Sequence, residues 1–177
     1  MGPPRSLTRF FVAICTLAAA APTLAQPTDT AVKAAFLPRF ARYVTWPAAA
    51  MPQANDPFVL CVIGADPFGI ILDDAARSQQ VDGRRIIVRR TGVANVNGCH
   101  IAFVTDGHGQ SASRVIAAID GKPVLTVTDG AGIGQRGIIH FTVVGGRVRF
   151  FIDQSGATRR GLNVSSRLLA LAVGVRQ

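Results

Sequence analysis

The sequence contains no glutamate, and all 10 of its acidic residues are aspartates. Glutamate frequently serves as a general acid or as a bidentate metal ligand. The three histidines, His100, His108 and His140, match none of the HxH, HxxxH or HExxH spacings of metal sites. A G-x-S-x-G nucleophile motif is also absent from the sequence. We therefore predict no catalytic residue, no metal site and no cofactor, and we expect that the protein is not an enzyme.

The sequence also has little that could cross a membrane. Arg5 and Arg9 precede an uncharged, mostly apolar run over residues 10–21, which small residues up to Ala25 then follow. The run is well short of the ~20 residues that a transmembrane helix needs. A positive start, a short apolar run and a small-residue end are typical of a secretory signal. We predict a signal peptide over residues 1–25, cleavage after Ala25 and an exported domain over residues 26–177; a retained anchor is the alternative.

Cysteine is scarce. Cys15 lies in the predicted signal peptide, which leaves Cys61 and Cys99 in the exported chain. An oxidising compartment outside the cytoplasm favours the pairing of two such cysteines, and their spacing is not the CxxC of a redox or metal site. We expect one structural disulfide that closes a loop of about 39 residues. Two free, buried thiols are the alternative.

Acidic residues are outnumbered by basic ones. Without Arg5 and Arg9, the chain has 17 basic and 10 acidic residues, a net charge of +7. Such charge could attract nucleic acid, an anionic membrane or an acidic partner. Export argues against nucleic acid, and the arginine pairs at positions 84–85, 89–90 and 159–160 lack the interleaved aromatics of single-strand binders. We predict no nucleic-acid binding and expect most of these arginines to lie on solvated faces.

The order of patterns along the chain is typical of an α/β protein. Apolar residues at helical spacing predict a helix over residues 29–44, which Pro38 should kink or split. Asp66 and Pro67 are expected to open a second helix that reaches Arg77. We predict strands over residues 58–63, 84–90, 101–105 and 124–128, and another helix over residues 111–119. This alternation predicts a single three-layer domain, with a mainly parallel central sheet and helices on both faces.

The pattern then changes to a predicted antiparallel hairpin, because residues 137–144 and 147–153 are joined by Gly145 and Gly146. A two-residue loop places Val143 opposite Val148, Phe141 opposite Phe150 and Ile139 opposite Ile152, so these six should form a core face. The other face would carry His140, Thr142, Val144, Arg147, Arg149 and Phe151.

A last helix is predicted from near Asn163 or Ser165 to Val173. Val164, Leu168 and Leu171 form an apolar stripe along it, which Leu169 and Val173 widen. Packing against the core is the simplest interpretation of the stripe. A partly exposed docking surface is the alternative.

Three glycines, Gly132, Gly134 and Gly137, match the G-x-G-x-x-G pattern of dinucleotide-binding folds. In those folds the glycines open a helix, whose N-terminus receives the pyrophosphate. Here they lead into a predicted strand. We therefore interpret them as a turn, not as a nucleotide site.

Six segments, taken together and in order, resemble the YfiR family of periplasmic proteins. They are AVKAAFLPRFARYVTWP, FVLCVIGADPFG, CHIAFV, PVLTVTDG, GIIHFTVVGGRVRFFID and GLNVSSRLLALAVGVR. The resemblance covers nearly all of the chain after the predicted signal peptide. It implies a periplasmic α/β domain that tends to dimerise and has no catalytic centre. Cys61 and Cys99 match the disulfide of the family.

The resemblance also implies a function. Its best-known members are inhibitory periplasmic subunits that bind the sensory part of an inner-membrane diguanylate cyclase and lower cyclic di-GMP output. An outer-membrane lipoprotein of the OmpA-like kind sequesters them in turn. As partner contacts we predict residues from the hairpin's polar face and the C-terminal stripe, namely Arg147, Arg149, Phe151, Leu162, Val164, Leu168 and Leu169.

A second hypothesis is a small-ligand-binding or sensor protein that acts on another membrane receptor. Open α/β sheets bind ligands at the carboxyl ends of their parallel strands. In this sequence those ends are expected at residues 64–68 and 106–109.

Overall fold

An eight-stranded sheet organises the protein. The computed structural model describes Gly2 and residues 27–109, 111–130 and 136–177. The strands are β1 (Val44–Thr45), β2 (Phe58–Ile63), β3 (Gln80–Val81), β4 (Arg84–Thr91), β5 (Ile101–Val104), β6 (Leu125–Asp129), β7 (Ile139–Val144), β8 (Arg147–Asp153), β9 (Asn163–Val164) and β10 (Gly174–Arg176). The helices are α1 (Asp29–Phe40), α2 (Ile70–Arg77), α3 (Ala112–Ala118), α4 (Gln154–Arg159) and α5 (Ser166–Leu169). Apart from Gly2, the predicted signal peptide and its cleavage site lie outside the described residues.

The main sheet has the strand order β3-β4-β2-β5-β6-β7-β8-β10. Five neighbouring strands, β4, β2, β5, β6 and β7, are parallel, while β8 returns antiparallel to β7. At the end of the sheet, β10 pairs with β8 in parallel. A separate two-stranded ribbon joins β1 to β9. The prediction of a mainly parallel sheet with an antiparallel hairpin is confirmed.

The two faces of the sheet bury two separate cores. One core packs α1 and α2 against the sheet, with Leu37 and Leu72 beside Leu60. The other packs α3 against the opposite face, where Val115 contacts the cluster around Ile63. Continuous burial along β2 follows from this arrangement, because a strand covered on both faces is apolar throughout. The three-layer architecture with helices on both faces is therefore confirmed.

Helix α1 differs from its prediction at Pro38. The helix runs unbroken from Asp29 to Phe40 and then tightens into a 3₁₀ turn over Ala41–Tyr43. Pro38 lies in the last turn, where its ring is buried. A break there was expected because proline removes a backbone hydrogen bond. The helix nevertheless continues past Pro38 to Phe40, so the proline does not split it.

Helix α2 begins later than predicted, at Ile70 and not near Asp66. The Asp66 carboxylate accepts a hydrogen bond from the backbone N–H of Phe68 at 2.8 Å, so it caps a local turn. Gly69, with a positive φ of 51°, then directs the chain into the helix. The Asp-Pro pair thus marks a turn before the helix and not the helix start.

The predicted C-terminal helix is wrong for most of its length. Asn163 and Val164 form β9, α5 has only four residues after its cap Ser165, and β10 follows. The N–H of Val173 donates to the carbonyl of Phe150 at 3.0 Å, which draws this segment onto the sheet edge. Helical spacing of apolar residues cannot reveal such pairing, which depends on a distant strand. The short helix α4 was not predicted.

The hairpin has the predicted register, with all three apolar pairs facing each other. Five of the six apolar residues are buried, whereas Val143 near the turn is 49% exposed. The core face is therefore confirmed except at its tip. In the described part of the chain, no helix has the length and apolar character needed to cross a membrane.

Candidate functional site

The disulfide forms as predicted. Cys61 on β2 is bonded to Cys99, which lies just before β5, and their Cα atoms are 5.8 Å apart. The Arg89 guanidinium on β4 donates to Sγ of Cys99 at 3.2 Å and to the carbonyl of Asn97 at 2.8 Å. The bond and this arginine together hold the loop between β4 and β5 onto the sheet.

The polar face of the hairpin presents arginines to solvent. Arg147 and Arg149 on β8 are exposed and Phe151 is half-buried, as the alternation predicted. No aspartate forms an ion pair with Arg147 or Arg149 within the part of the chain that the structure describes. We call Arg147, Arg149 and Phe151 the basic hairpin face.

The other predicted contact residues do not join this face. Leu162, Val164 and Leu168 are buried in the core that contains α1. The alternative of an exposed docking surface is wrong for them, because Val164 pairs with Val44 in the small ribbon and Leu168 faces inward from α5. The simplest interpretation of the stripe, packing against the core, is confirmed for Val164 and Leu168. Leu169 is half-buried against the same core, on the opposite side of the sheet from Arg149. The seven residues therefore form no single patch.

A groove of about 970 Å³ opens between α4, β10 and the end of α3, beyond the basic hairpin face. Phe151 and buried His140 line part of it. Its charged lining consists of Arg136, Arg159, Arg160, Arg176, Asp120 and Asp153. Four cations thus face two carboxylates, and the groove is electropositive.

Asp153 holds one side of this groove together. Its carboxylate accepts hydrogen bonds from the Arg176 guanidinium and, at 2.9 Å, from the N–H of Gly156, which caps α4. Burial raises the pKa of Asp153, but these bonds and one from the Ser155 hydroxyl outweigh it and lower the pKa to about 2. Asp153 is therefore a structural anion at neutral pH.

His140 is buried, although the alternation had placed it on the polar face. Nδ1 of His140 lies 2.9 Å from the Thr128 hydroxyl. The same hydroxyl accepts a hydrogen bond from the N–H of Gly137 at 3.0 Å. Burial lowers the pKa of His140, and the charge of Arg136 lowers it further. The imidazole is neutral at physiological pH. The sequence signal for its burial was weak, since it depends on how the chain returns from β6 to β7.

The alternative ligand site at the carboxyl ends of β2 and β5 is closed by its own backbone. The two segments meet as predicted, since the N–H of Ala65 donates to the carbonyl of Asp106 at 3.2 Å. The Thr105 hydroxyl also donates to the carbonyl of Ala65 at 2.7 Å. Gly64, with a φ of +98°, allows this approach, because a Cβ there would overlap the Thr105 carbonyl. Hydrogen bonds across the crevice thus hold the two segments together.

The glycine pattern and the potential metal ligands are the remaining sequence features. Gly132 and Gly134 lie outside the described residues, and Gly137 precedes strand β7, not a helix. Within the described residues, no three His, Cys or Asp side chains are grouped so that they could hold a metal ion.

Comparison with known proteins supplies the family. No curated protein matches the chain at a significant level. The family model described as YfiR/HmsC-like matches residues 30–173, from the second residue of α1 to the residue before β10. The disulfide lies within that match. The chain belongs to the YfiR/HmsC-like family.

Proposed function

We propose that the protein is a periplasmic regulatory binding protein that inhibits an inner-membrane diguanylate cyclase by binding its periplasmic sensory part. Membership of the YfiR/HmsC-like family carries the proposal, because that family is regulatory and consistent with control of diguanylate cyclase signalling. Export by the signal peptide over residues 1–25, with cleavage after Ala25, and the absence of catalytic activity are parts of the same proposal. Binding lowers cyclic di-GMP output.

The charge distribution supports a partner with an acidic surface. Residues 130–177 contain seven arginines and no lysine, against the single acidic residue Asp153. This part of the chain carries six of the nine net positive charges of the whole sequence. Three strands of this segment, β7, β8 and β10, form one end of the main sheet. Positive charge there steers an oppositely charged partner to that end.

The basic hairpin face is the contact that we favour at this end. Its two exposed arginines project from alternate positions of β8, beside the half-buried ring of Phe151. Arginine and aromatic side chains are enriched at the centres of protein interfaces. The protein would inhibit by binding the inactive conformation of the cyclase more tightly than the active one, since only such a difference in affinity shifts the equilibrium.

Site-specific crosslinking in the cell envelope tests this proposal. A photo-crosslinking amino acid is placed at position 149 on β8 and, as a matched control, at exposed position 85 on β4, near the other end of the sheet. We expect a membrane diguanylate cyclase to be captured from position 149 and not from position 85. Equal capture from both positions, or capture of a second copy of the chain alone from position 149, would contradict the proposal.

The family resemblance adds two partners to the proposal, a second copy of this chain and an OmpA-like outer-membrane lipoprotein that sequesters it. Light scattering of the purified exported chain measures the first, and a mass of twice the monomer is expected. For the second, the same crosslinked samples are searched for an OmpA-like outer-membrane lipoprotein.

A further inference from the structure

The groove beside α4 holds two guanidinium groups that form no ion pair with a described carboxylate. Among the described residues, its carboxylates are already paired: Asp120 with Arg160 at 3.2 Å, and Asp153 with Arg176. The groove is left with an excess of two positive charges from its remaining arginines, Arg136 and Arg159.

These two arginines are held by weak, uncharged contacts. The Arg136 guanidinium lies over the Phe151 ring, 5.6 Å from the ring centroid. Arg159 donates to the Ser155 hydroxyl at 3.3 Å. Both side chains belong to exposed residues. Each therefore keeps free N–H donors for an anion that enters the groove.

The charge beneath the groove is fixed and poorly hydrated. The Arg160 side chain is only 8% exposed, whereas that of its partner Asp120 is 75% exposed. The other hydrogen bonds of Arg160, to the Val124 carbonyl at 3.4 Å and the Thr126 hydroxyl at 3.5 Å, are long. A partly desolvated cation attracts an anion more strongly than a cation in water does.

His140 adds a buried polar side chain to the lining of the groove. Its Nδ1 lies 2.9 Å from the Thr128 hydroxyl, which accepts from the N–H of Gly137 at 3.0 Å. These contacts fix the imidazole at the wall of the groove.

From these contacts we propose that the groove is a binding site for a small molecule that carries a dianionic phosphate group. The two unneutralised guanidinium groups match its charge, and planar guanidinium groups bind phosphate oxygens through paired hydrogen bonds. The volume of about 970 Å³ is typical of small-molecule sites. Apolar lining from Ile116, Ile138 and Val175 leaves room for an organic body attached to the phosphate.

This site goes beyond the proposed regulatory function and is tested without the cyclase. Thermal unfolding of the purified full exported chain is followed at pH 8, with inorganic phosphate, phenyl phosphate or sodium chloride at equal ionic strength. A ligand that binds only the folded state raises the midpoint in a saturable way. We expect both phosphates to raise it above the chloride value. Tighter binding of phenyl phosphate would identify an organic phosphomonoester as the ligand, and equal binding would identify free phosphate.

Two groove variants test whether phosphate binds at this site. Arg136→Gln and Arg159→Gln each remove one charge from an exposed residue, and we expect each to weaken phosphate binding about tenfold, as for the loss of a charge-assisted hydrogen bond. Arg85→Gln removes the same charge from β4 and should bind as the unchanged protein does. If phosphate raises the unfolding midpoint no more than chloride does, the proposed site is contradicted. It is also contradicted if the groove variants bind phosphate as tightly as the Arg85→Gln control.

Discussion

The guanidinium of Arg89 lies 3.2 Å from Sγ of Cys99, so a cation is in direct contact with the disulfide that joins β2 to the residue before β5. The same guanidinium donates to carbonyls of Asn95 and Asn97 in the loop that leads to Cys99. One arginine therefore links the sheet, the loop and the disulfide. The covalent bond and the arginine constrain the same stretch of chain.

Reduction of this disulfide should lower the free energy of unfolding by about 2–4 kcal/mol, because the unfolded chain regains the freedom of a loop with a sequence separation of 38. Urea unfolding with and without dithiothreitol measures the difference. A double variant, Cys61→Ser with Cys99→Ser, is the control and should not respond to the reductant. Equal stability of the oxidised and reduced protein would contradict the prediction.

Alanine substitutions of a buried and of an exposed leucine near the C-terminus should differ in their effect on the free energy of unfolding. Leu168 is 2% exposed and Leu171 is 59% exposed. Leu168→Ala should reduce the free energy of unfolding by about 2–5 kcal/mol, as is typical for a buried leucine. Leu171→Ala, made as the matched control, should change it by no more than about 0.5 kcal/mol. Similar losses in the two variants would show that the chain does not turn at α5 as described.

Stability should fall as the pH is lowered below about 6.5, the usual pKa of histidine. Burial is the main cause that lowers the pKa of both His100 and His140 in the folded protein. The unfolded chain therefore takes up protons first, and folding loses stability between pH 6.5 and the lower pKa values of the folded state. Urea midpoints at pH 7.5 and pH 5.5 test this, and an unchanged midpoint would count against it. In a His140→Gln variant the difference should be smaller.

Asp153→Asn should destabilise the protein at pH 7 by up to about 1 kcal/mol, because the amide oxygen can still cap α4 but no longer neutralises Arg176. The carboxylate has a pKa of about 2 in the folded protein, below its usual value of 3.8. Its stabilising effect is therefore fully present above pH 4 and is lost as the pH falls towards 2. Acid unfolding curves of the two proteins should converge in that range. Asp74→Asn on α2, where the carboxylate is exposed, is the control.

The parts of the fold that follow from local patterns could be predicted from the sequence. The alternating residues on either side of Gly145 and Gly146 predicted both strands of the hairpin and its register. Continuous apolar runs such as that of β2 predicted strands covered on both faces. The pairing of Cys61 with Cys99 was predicted from the oxidising compartment and from the presence of only two cysteines in the exported chain. These features depend on neighbours in sequence or on composition, which the sequence displays directly.

Features that depend on distant contacts could not be predicted in this way. The apolar residues after Leu162 have helical spacing, yet the pairing of β9 with β1 and of β10 with β8 divides that segment. Leu168, chosen as a partner contact, is buried in the core, as the simplest interpretation of the apolar stripe predicted. The groove also escaped prediction, because Arg136, Arg160 and Arg176 meet only after the sheet has formed. In the sequence these three arginines lie far apart.

The most direct test of the proposed inhibition is the cyclic di-GMP content of cells that lack this protein and are complemented with variants. Wild-type chain should lower cyclic di-GMP, whereas Arg147→Asp combined with Arg149→Asp should leave it high at equal envelope abundance. Arg85→Asp, on β4, is the matched control and should act as the wild type does. If the double variant lowers cyclic di-GMP as fully as the wild type, the basic hairpin face is not the inhibitory contact. If even the wild-type chain leaves it unchanged, the protein does not inhibit a diguanylate cyclase.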